Sequence, residues 1–564
     1  MKSFYTSIAV LCVLFVSSAS MFGQATGDYR SNGTGGGNWS AHATWQKYNG
    51  STWVAATGAP TGAAVVTIQS TDSVYFDVAV SITDTLKNQG KFSGASNLTI
   101  ASGGIYQHDL NGGSLPVATW SVGSTCLITG VSTSVPSNGN QGFYNFIVNS
   151  PGWIANMNMG WGSTSTSPNT PLPQSIYGNV IVRCTGTTGR WNWCAPASGS
   201  SKTVRNSATV SVYGDIIVDG SATDSAQEIS VTSNGTSNAY TDIIINSYGN
   251  VVVTGNPTNT AWTNFSVSRG SQGSGTGTTK WKLYGDFTMS DATTINSNAT
   301  NAKFVFAKSG MQNIVLNNVT FGASGSAAVN IDVDSGSVLN LGMTALSGGT
   351  TSTNTGSFNV LSHATIVTAH PDGIDGNVTC TGESGGGNKF SKTAGYAFNG
   401  SAAQVTGALM PDTVSKLTIN NASGVTLTQA TTVMDTLFLL AGVFHPQGHL
   451  TLGPNAFTVN GGGTMDGVPS PSTHKIPQSF YVNQNYPNPF NPTTEITYGL
   501  PKEGFVTARV YNLLGQEVAT LLAGRQSAGV HTLDFNASNL CSGIYFYRIQ
   551  AGTAVQVKRM ILNK

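Results

Sequence analysis

A short pattern that returns at nearly constant spacing limits this chain to few architectures. Tyr-Gly followed by Asn or Asp and an apolar residue occurs at Tyr177-Gly178-Asn179-Val180, Tyr213-Gly214-Asp215-Ile216, Tyr248-Gly249-Asn250-Val251 and Tyr284-Gly285-Asp286-Phe287. The steps between copies are 36, 35 and 36 residues. Each copy sits between β-rich runs, such as Ala208 to Val212 before the second copy and Ile216-Ile217-Val218 after it. A period of this length marks a repeat architecture, in which each unit buries its core only against its neighbours. Short alternating strands between Gly/Asn/Ser/Thr turns then stack as coils about 4.8 Å apart, with Val, Ile, Leu and Phe inward. The Tyr-Gly-Asn/Asp element reads as a corner. Gly supplies a positive φ, Asn or Asp bonds local backbone, and the Tyr stacks on its counterpart in the next coil. A step of 36 is either one coil with long loops or a period spanning more than one coil.

A second pattern, F-x-x-S-x-x-Q, links Phe306 to Gln312 and Phe398 to Gln404 at an offset of 92 residues. Together these features predict an all-β chain whose body, residues 84–467, is a right-handed parallel β-helix. A tandem of β-sandwiches is the alternative, and the long-range periodicity counts against it. Residues 24–83 differ: Trp39, Trp45 and Trp53 crowd a short span, and the strands Val65 to Ile68 and Val74 to Asp77 follow. This region is expected to cap the solenoid, because an open coil end would expose core and unpaired backbone.

Composition narrows the function. Only 9% of residues are charged, against about 25% in ordinary globular proteins. The net charge is +1, so no long-range field draws nucleic acid or anionic lipid, and no basic run suggests nucleic acid as a partner. Beyond Cys12, which lies in an N-terminal apolar run, the cysteines are Cys126, Cys184, Cys194, Cys380 and Cys541. Cys184 and Cys194 flank Gly189 and the Trp191/Trp193 pair and are candidates to close one loop as a disulfide; two buried thiols are the alternative. No C-x-x-C occurs, so zinc and redox readings are poor.

Catalytic candidates are few, and none is assigned. The body holds two glutamates, Glu228 and Glu383, far apart in sequence. Asp332 and Asp334 alternate along one strand, which would put both on its outer face as an acid/base or Ca²⁺ pair; a solvated strand face is the plainer reading. His370-Pro371-Asp372-Gly373-Ile374-Asp375-Gly376-Asn377 is similar to a calcium turn but lacks the later acidic ligands, and a turn between coils is the plainer reading. His445 and His449 would share a face only on a helix, which Pro446 and Gly448 forbid, so no metal site is assigned. No cofactor is implied. Trp153, Trp161, Trp191 and Trp193 would stack on sugar rings if exposed and fill a loop if buried.

The last ninety residues follow another rule. Three prolines in Tyr486-Pro487-Asn488-Pro489-Phe490-Asn491-Pro492 exclude a helix or a central strand and predict an extended lead into a strand at Thr494 to Tyr498. Six or seven short strands follow, interrupted by turns at Gly515, Gly529 and Gly552, which suggests a small immunoglobulin-like β-sandwich. Four blocks stand in order: Y-P-N-P-F-N-P-T-T-E-I, V-Y-N-L-L-G-Q-E-V, S-G-I-Y-F-Y-R-I-Q-A-G and K-R-M-I-L-N-K. They resemble a type A sorting domain of the type IX secretion system, over about residues 475–564. The matching positions are Tyr486 to Pro492, Gly515, Gly543 and Tyr545. The resemblance implies export across the outer membrane of a Gram-negative bacterium, with the secretion machinery as partner. It also implies removal of the domain at the surface, with release or attachment to surface lipopolysaccharide. The segment G-D-Y-R-S…G-N-W-S…T-W-Q-K-Y-N-G-S-T-W-V resembles the opening of other surface proteins with this tail, and brings no activity with it.

The beginning agrees. Lys2, the apolar run Ile8 to Val16 and the small residues Ser17 to Ser20 form a secretory signal peptide, taken as residues 1–23, too short to span a membrane. No transmembrane helix is expected in the mature chain. Residues 468–474 are a Pro/Ser linker. Two functions follow. The first is a secreted or surface-anchored non-catalytic protein, adhesin-like, glycan-binding or structural. The second is an extracellular polysaccharide lyase or hydrolase on the same scaffold. The poverty of carboxylates favours the first.

Overall fold

The computed structural model describes residues 24–139, 141–154, 156–158, 174–186, 190–192, 206–221, 227–230, 241–256, 263–268, 278–297, 302–321, 329–346, 356–379, 388–454, 456–466, 477, 479–526 and 529–563. The expected signal peptide, the linker, Trp161, Trp193, Cys194, Cys380 and Glu383 lie outside them. The chain divides into two compact units, 1–161 with 174–193 and 225–228, and 162–173 with 194–224 and 229–564.

The first unit opens as an antiparallel meander. Trp53–Ala55 pairs with Trp45–Tyr48, which pairs with Tyr29–Ser31. Tyr29–Ser31 then runs parallel to Val66–Ile68, and from there the sheet is parallel. Its later strands are Thr85–Asn88, Ile105–His108, Thr125–Ile128, Asn145–Asn149 and Val180–Cys184. Two more parallel sheets flank it, Gly36–Asn38/Ser73–Tyr75/Lys91–Ser93 and Val80–Ile82/Leu98–Ile100/Thr119–Trp120. The chain visits the three sheets in turn, so each coil carries up to three short strands. Partners along the main sheet (Val66, Leu86; Thr85, Ile105, Thr125, Asn145) are 20 residues apart. Register stacks Leu86, Tyr106, Cys126, Phe146 and Val180 into one inward column, each at most 1% exposed. Each such apolar side chain contributes roughly 1.5–3 kcal/mol by leaving water. In the meander, Trp39 and Trp45 pack edge to face at 4.9 Å, and the Trp45 indole N–H donates to the Trp39 carbonyl at 2.9 Å.

The second unit has the same kind of construction, on longer coils. Its main parallel sheet runs through Ile216–Asp219, Val251–Thr254, Phe287–Ser297, Met311–Phe321, Val338–Gly342, Thr365–Thr368, Gly395–Phe398, Thr413–Asn420 and Thr431–Ala441. A second face is built from Asn206–Val212, Thr241–Ser247, Thr279–Leu283, Ala302–Phe306, Asn330–Val333, Phe358–Val360 and Lys389–Phe390. Ile216 pairs with Val251 and Val251 with Phe287, steps of 35 and 36, so the 36-residue period is one coil with long loops. Toward the end the step falls to 21 and 20, from Gly395 to Lys416 to Thr436.

The Tyr-Gly-Asn/Asp corner is confirmed in one respect and corrected in two. Tyr213 stacks on Tyr248 at 5.0 Å and 9°, and Tyr248 on Tyr284 at 4.9 Å and 14°. The glycines are not there for a positive φ. A Cβ on Gly249 would lie 2.3 Å from the Gly214 carbonyl oxygen, and one on Gly285 would lie 2.2 Å from that of Gly249. Glycine is required because successive coils touch backbone to backbone. The Asn/Asp side chains bond the next coil rather than their own turn. The Asp215 carboxylate accepts the Asn250 amide N–H (2.7 Å), Asn250 Oδ1 that of Asp286 (2.9 Å), and Asp286 that of Asn313 (3.0 Å).

The F-x-x-S-x-x-Q elements lie on different faces, so their offset is not a whole number of coils. They share a task instead. Gln312 and Gln404 are buried, and each Nε2 donates to two carbonyls of the preceding coil, Leu283 and Gly285 in one case, Thr368 and His370 in the other.

The tail forms two antiparallel sheets. Its strands are β1 (Tyr481–Val482), β2 (Thr493–Leu500), β3 (Gly504–Tyr511), β4 (Glu517–Gln526), β5 (Gly529–Asn536), β6 (Gly543–Ala551) and β7 (Ala554–Leu562). One sheet has the order β1-β2-β5 and the other β4-β3-β6-β7. Between them lies a core that includes Ile496, Tyr498, Val506, Val510, Tyr547, Ile549 and Met560.

Candidate functional site

In the body, the sequence-predicted candidates take part in holding coils together. Asp332 is 6% exposed, ion-paired to Lys303, and accepts from Asn359 Nδ2 at 2.9 Å. Asp334 lies just past the end of that strand and caps the Ser335 amide at 2.9 Å, so the two carboxylates do not form a pair on one strand face. His370 to Asn377 contains a single helical turn, Gly373–Asn377, where a turn alone was expected. Both carboxylate oxygens of Asp375 are occupied by the Ala408 and Leu409 amides, at 2.7 and 2.8 Å. Asn377 is fully buried and donates to the Gly342 and Thr344 carbonyls. His445 is not paired with His449; its Nδ1 meets Asp466 Oδ2 at 2.6 Å. Among the described residues, no three His, Cys, Asp or Glu side chains gather as a metal site would need.

Trp153 is 1% exposed and cannot face a sugar ring. Trp191 lies on Arg190–Asn192, and its side chain is outside the described set. Cys184 is a buried free thiol that accepts the Gly186 amide; its candidate partner Cys194 lies outside the described residues. Cys126 is likewise a buried thiol, and burial pushes its pKa well up.

One buried polar network was not foreseen. His108 occupies an inward column beside Asn88 and Ile128. Its Nε2 donates to the Gly112 carbonyl at 2.7 Å, and the Tyr106 hydroxyl lies 3.2 Å from its Nδ1. Asn88 Nδ2 donates to the same hydroxyl at 3.0 Å. With Nε2 donating to Gly112 and burial disfavouring the imidazolium, Nδ1 is left as the acceptor for the Tyr106 hydroxyl proton. Burial pushes the His108 pKa down, with the Gly112 carbonyl and Asp109 opposing.

The tail brings its candidates together. The proline-rich segment turns back rather than running extended: Tyr486 bridges Glu495, and Phe490 bridges Leu562 of β7. Tyr486–Pro487 and Asn488–Pro489 are cis. Phe490 is 2% exposed, and its amide and carbonyl bond the Ile561 carbonyl (2.9 Å) and the Asn563 amide (3.0 Å). Asn488 Oδ1 accepts the Ile561 amide at 2.8 Å, and the Pro492 carbonyl accepts that of Ala537 at 2.8 Å. The segment is thus a clasp joining the head of the domain to its last strand. Pro489 and Asn491 stay exposed.

Sequence reasoning missed the clasp's inner partners. Buried Asn485 donates through Nδ2 to the Pro487 carbonyl and to Thr494 Oγ1, both at 3.0 Å. The Tyr547 hydroxyl donates to the Asn483 carbonyl at 2.7 Å and accepts the Asn485 amide at 2.8 Å. Burial pushes this phenol well above its usual pKa. Asn485 directly precedes the motif, and only that adjacency signals it. Tyr486 looks outward: its hydroxyl donates to the His363 carbonyl at 2.6 Å, and the Lys416 ammonium lies 5.1 Å from its ring. Gly515 adopts φ +79° in the turn after β3, and the Tyr545 hydroxyl donates to the Cys541 carbonyl at 2.8 Å. Nothing in the structure explains Gly543.

Residues 484–563 match the family described as the secretion system C-terminal sorting domain. No curated protein and no solved structure matches the chain. Among the described residues, no helix is long and apolar enough to cross a membrane. The clasp, the two-sheet domain it closes and the family match agree: this chain carries a type IX secretion sorting domain, which marks it as a secreted or cell-surface protein exported through the cell envelope by that machinery.

Proposed function

We propose that the body is a non-catalytic surface element, adhesin-like, glycan-binding or structural, delivered by its tail. The observation that carries this reading is the use of the body's acids. Asp332, Asp375, Asp286 and Asp109 are each occupied by an ion pair or by amides of a neighbouring coil. Carboxylates spent this way lock coil to coil and are not poised for acid/base work on a glycosidic bond. The right-handed sense of the coil, the immunoglobulin-like topology of the tail and a final lipopolysaccharide anchor belong to the same proposal. So do the boundaries 1–23, 24–83, 84–467, 468–474 and 475–564.

The test is a glycan array together with a turnover panel of plant and algal polysaccharides, using purified full chain. Binding without cleavage supports a glycan-binding surface. Cleavage that is lost in Asp332→Ala or Asp372→Ala would replace the proposal with a lyase or hydrolase.

A further inference from the structure

All four arginines of residues 475–564 lie on the outer face of one sheet. Register places Arg509 of β3 directly opposite Arg548 of β6. Arg525 of β4 lies opposite Phe505 on the same face, and Arg559 of β7 lies opposite Phe546. The alternate residues of these strands, Val506, Ala508, Val510, Tyr545, Tyr547 and Met560, fill the core, which fixes the arginines outward.

Like charges directly opposite across an antiparallel pair destabilise a sheet. Here that arrangement occurs in a chain with only 9% charged residues. Glu517 pairs with Arg509 at 3.3 Å and Glu503 with Arg525 at 3.2 Å. Arg509 Nε is nevertheless buried with no acceptor. Around this centre the face is apolar and open: Phe505 is 58% exposed, Val557 53% and Val555 41%.

We propose that this face is the surface by which the sorting domain docks on the secretion machinery, and that it receives a carboxylate-bearing face of a protein component. The inference rests on the sorting role of the tail. Charge complementarity chooses the chemistry, since guanidinium forks match carboxylates in two-point contact. The apolar flank chooses a protein over a phosphate headgroup, because arginine beside exposed aromatic and aliphatic side chains is the composition of an interface hot spot. Residues 475–564 hold eight Lys/Arg against four Asp/Glu, while the whole chain is at +1, so the positive charge is concentrated where the partner must bind.

The experiment is cell fractionation of full-length variants expressed in the native bacterium. Arg548→Glu/Arg559→Glu should lower the exported fraction about tenfold or more, with accumulation in the periplasm, as expected when a buried interfacial charge pair is broken. Arg548→Gln/Arg559→Gln, which adds no carboxylate, should give a smaller drop in the same direction. Lys502→Glu, in the exposed turn before β3, should export normally. Unchanged melting of the purified variants shows that folding is intact. Wild-type export of both arginine double variants overturns the proposal. So does normal crossing followed by more shedding into the medium than the wild-type chain shows, which would assign the face to surface phosphates. Deletion of residues 475–564 separates the two readings: if the deletion blocks export and the arginine variants do not, only the docking face is wrong.

Discussion

The body and the tail are both all-β, yet they solve opposite problems. In the body, strands of one chain stack parallel, and the limit is how closely successive coils approach. Gly249 and Gly285 sit where a Cβ would strike the coil before. Side-chain amides and carboxylates at the corners then tie coil to coil. In the tail, strands pair antiparallel, the core lies between two sheets, and glycines such as Gly504 and Gly524 have open space around them. The lesson is that one residue type carries different information in each region. Body glycines such as Gly249 and Gly285 report close approach between coils; tail glycines such as Gly515 and Gly552 report a turn.

Phe490→Ala should give the largest effect. The ring is 2% exposed and packs 5.9 Å from Phe535, so its loss should cost the tail about 3–5 kcal/mol. Calorimetry of the full chain should show the tail transition moving down while the body transition stays; a joint shift would erase the contrast between the regions. Gly285→Ala comes next, at about 1–3 kcal/mol of overpacking. Its control, Gly524→Ala, should stay within about 0.5 kcal/mol, and urea unfolding of both variants reads the difference. Equal costs would mean that coil contact does not set the glycine pattern.

Acid should then weaken the body more than the tail. The folded His108 pKa lies below its ordinary value because burial disfavours the imidazolium. Its neutral-state stability is therefore present above about pH 6.5 and is lost as pH falls through that value toward the lower folded pKa. Amide exchange in strand Ile105–His108 should accelerate on acidification, and His108→Gln should flatten that response. The smallest effect is expected for Tyr248→Ala. Loss of two stacking contacts in the exposed tyrosine column should cost at most about 1 kcal/mol, seen as faster exchange in the two flanking coils alone.

Much of this molecule was legible in the sequence. The spacing left two readings of the 36-residue step open, and strand register decides for one coil; the tyrosines stacked as the spacing required, because identical residues at a fixed period must meet. The proline-rich motif located the tail. The 20-residue coils of the first unit were not legible, because their inward column, Leu86-Tyr106-Cys126-Phe146-Val180, repeats burial without repeating a residue. The roles of Gly249 and Asn250 were misread because a sequence shows neighbours along the chain and not across coils. The clasp around Asn485 and Tyr547 joins residues more than sixty apart, so no local pattern announces it.

The most direct test of the account is fractionation of cells producing the full chain beside cells producing it without residues 475–564. The account predicts the full chain at the surface or in the medium and the truncated chain in the periplasm. Truncated chain displayed at the surface in wild-type amount would contradict it.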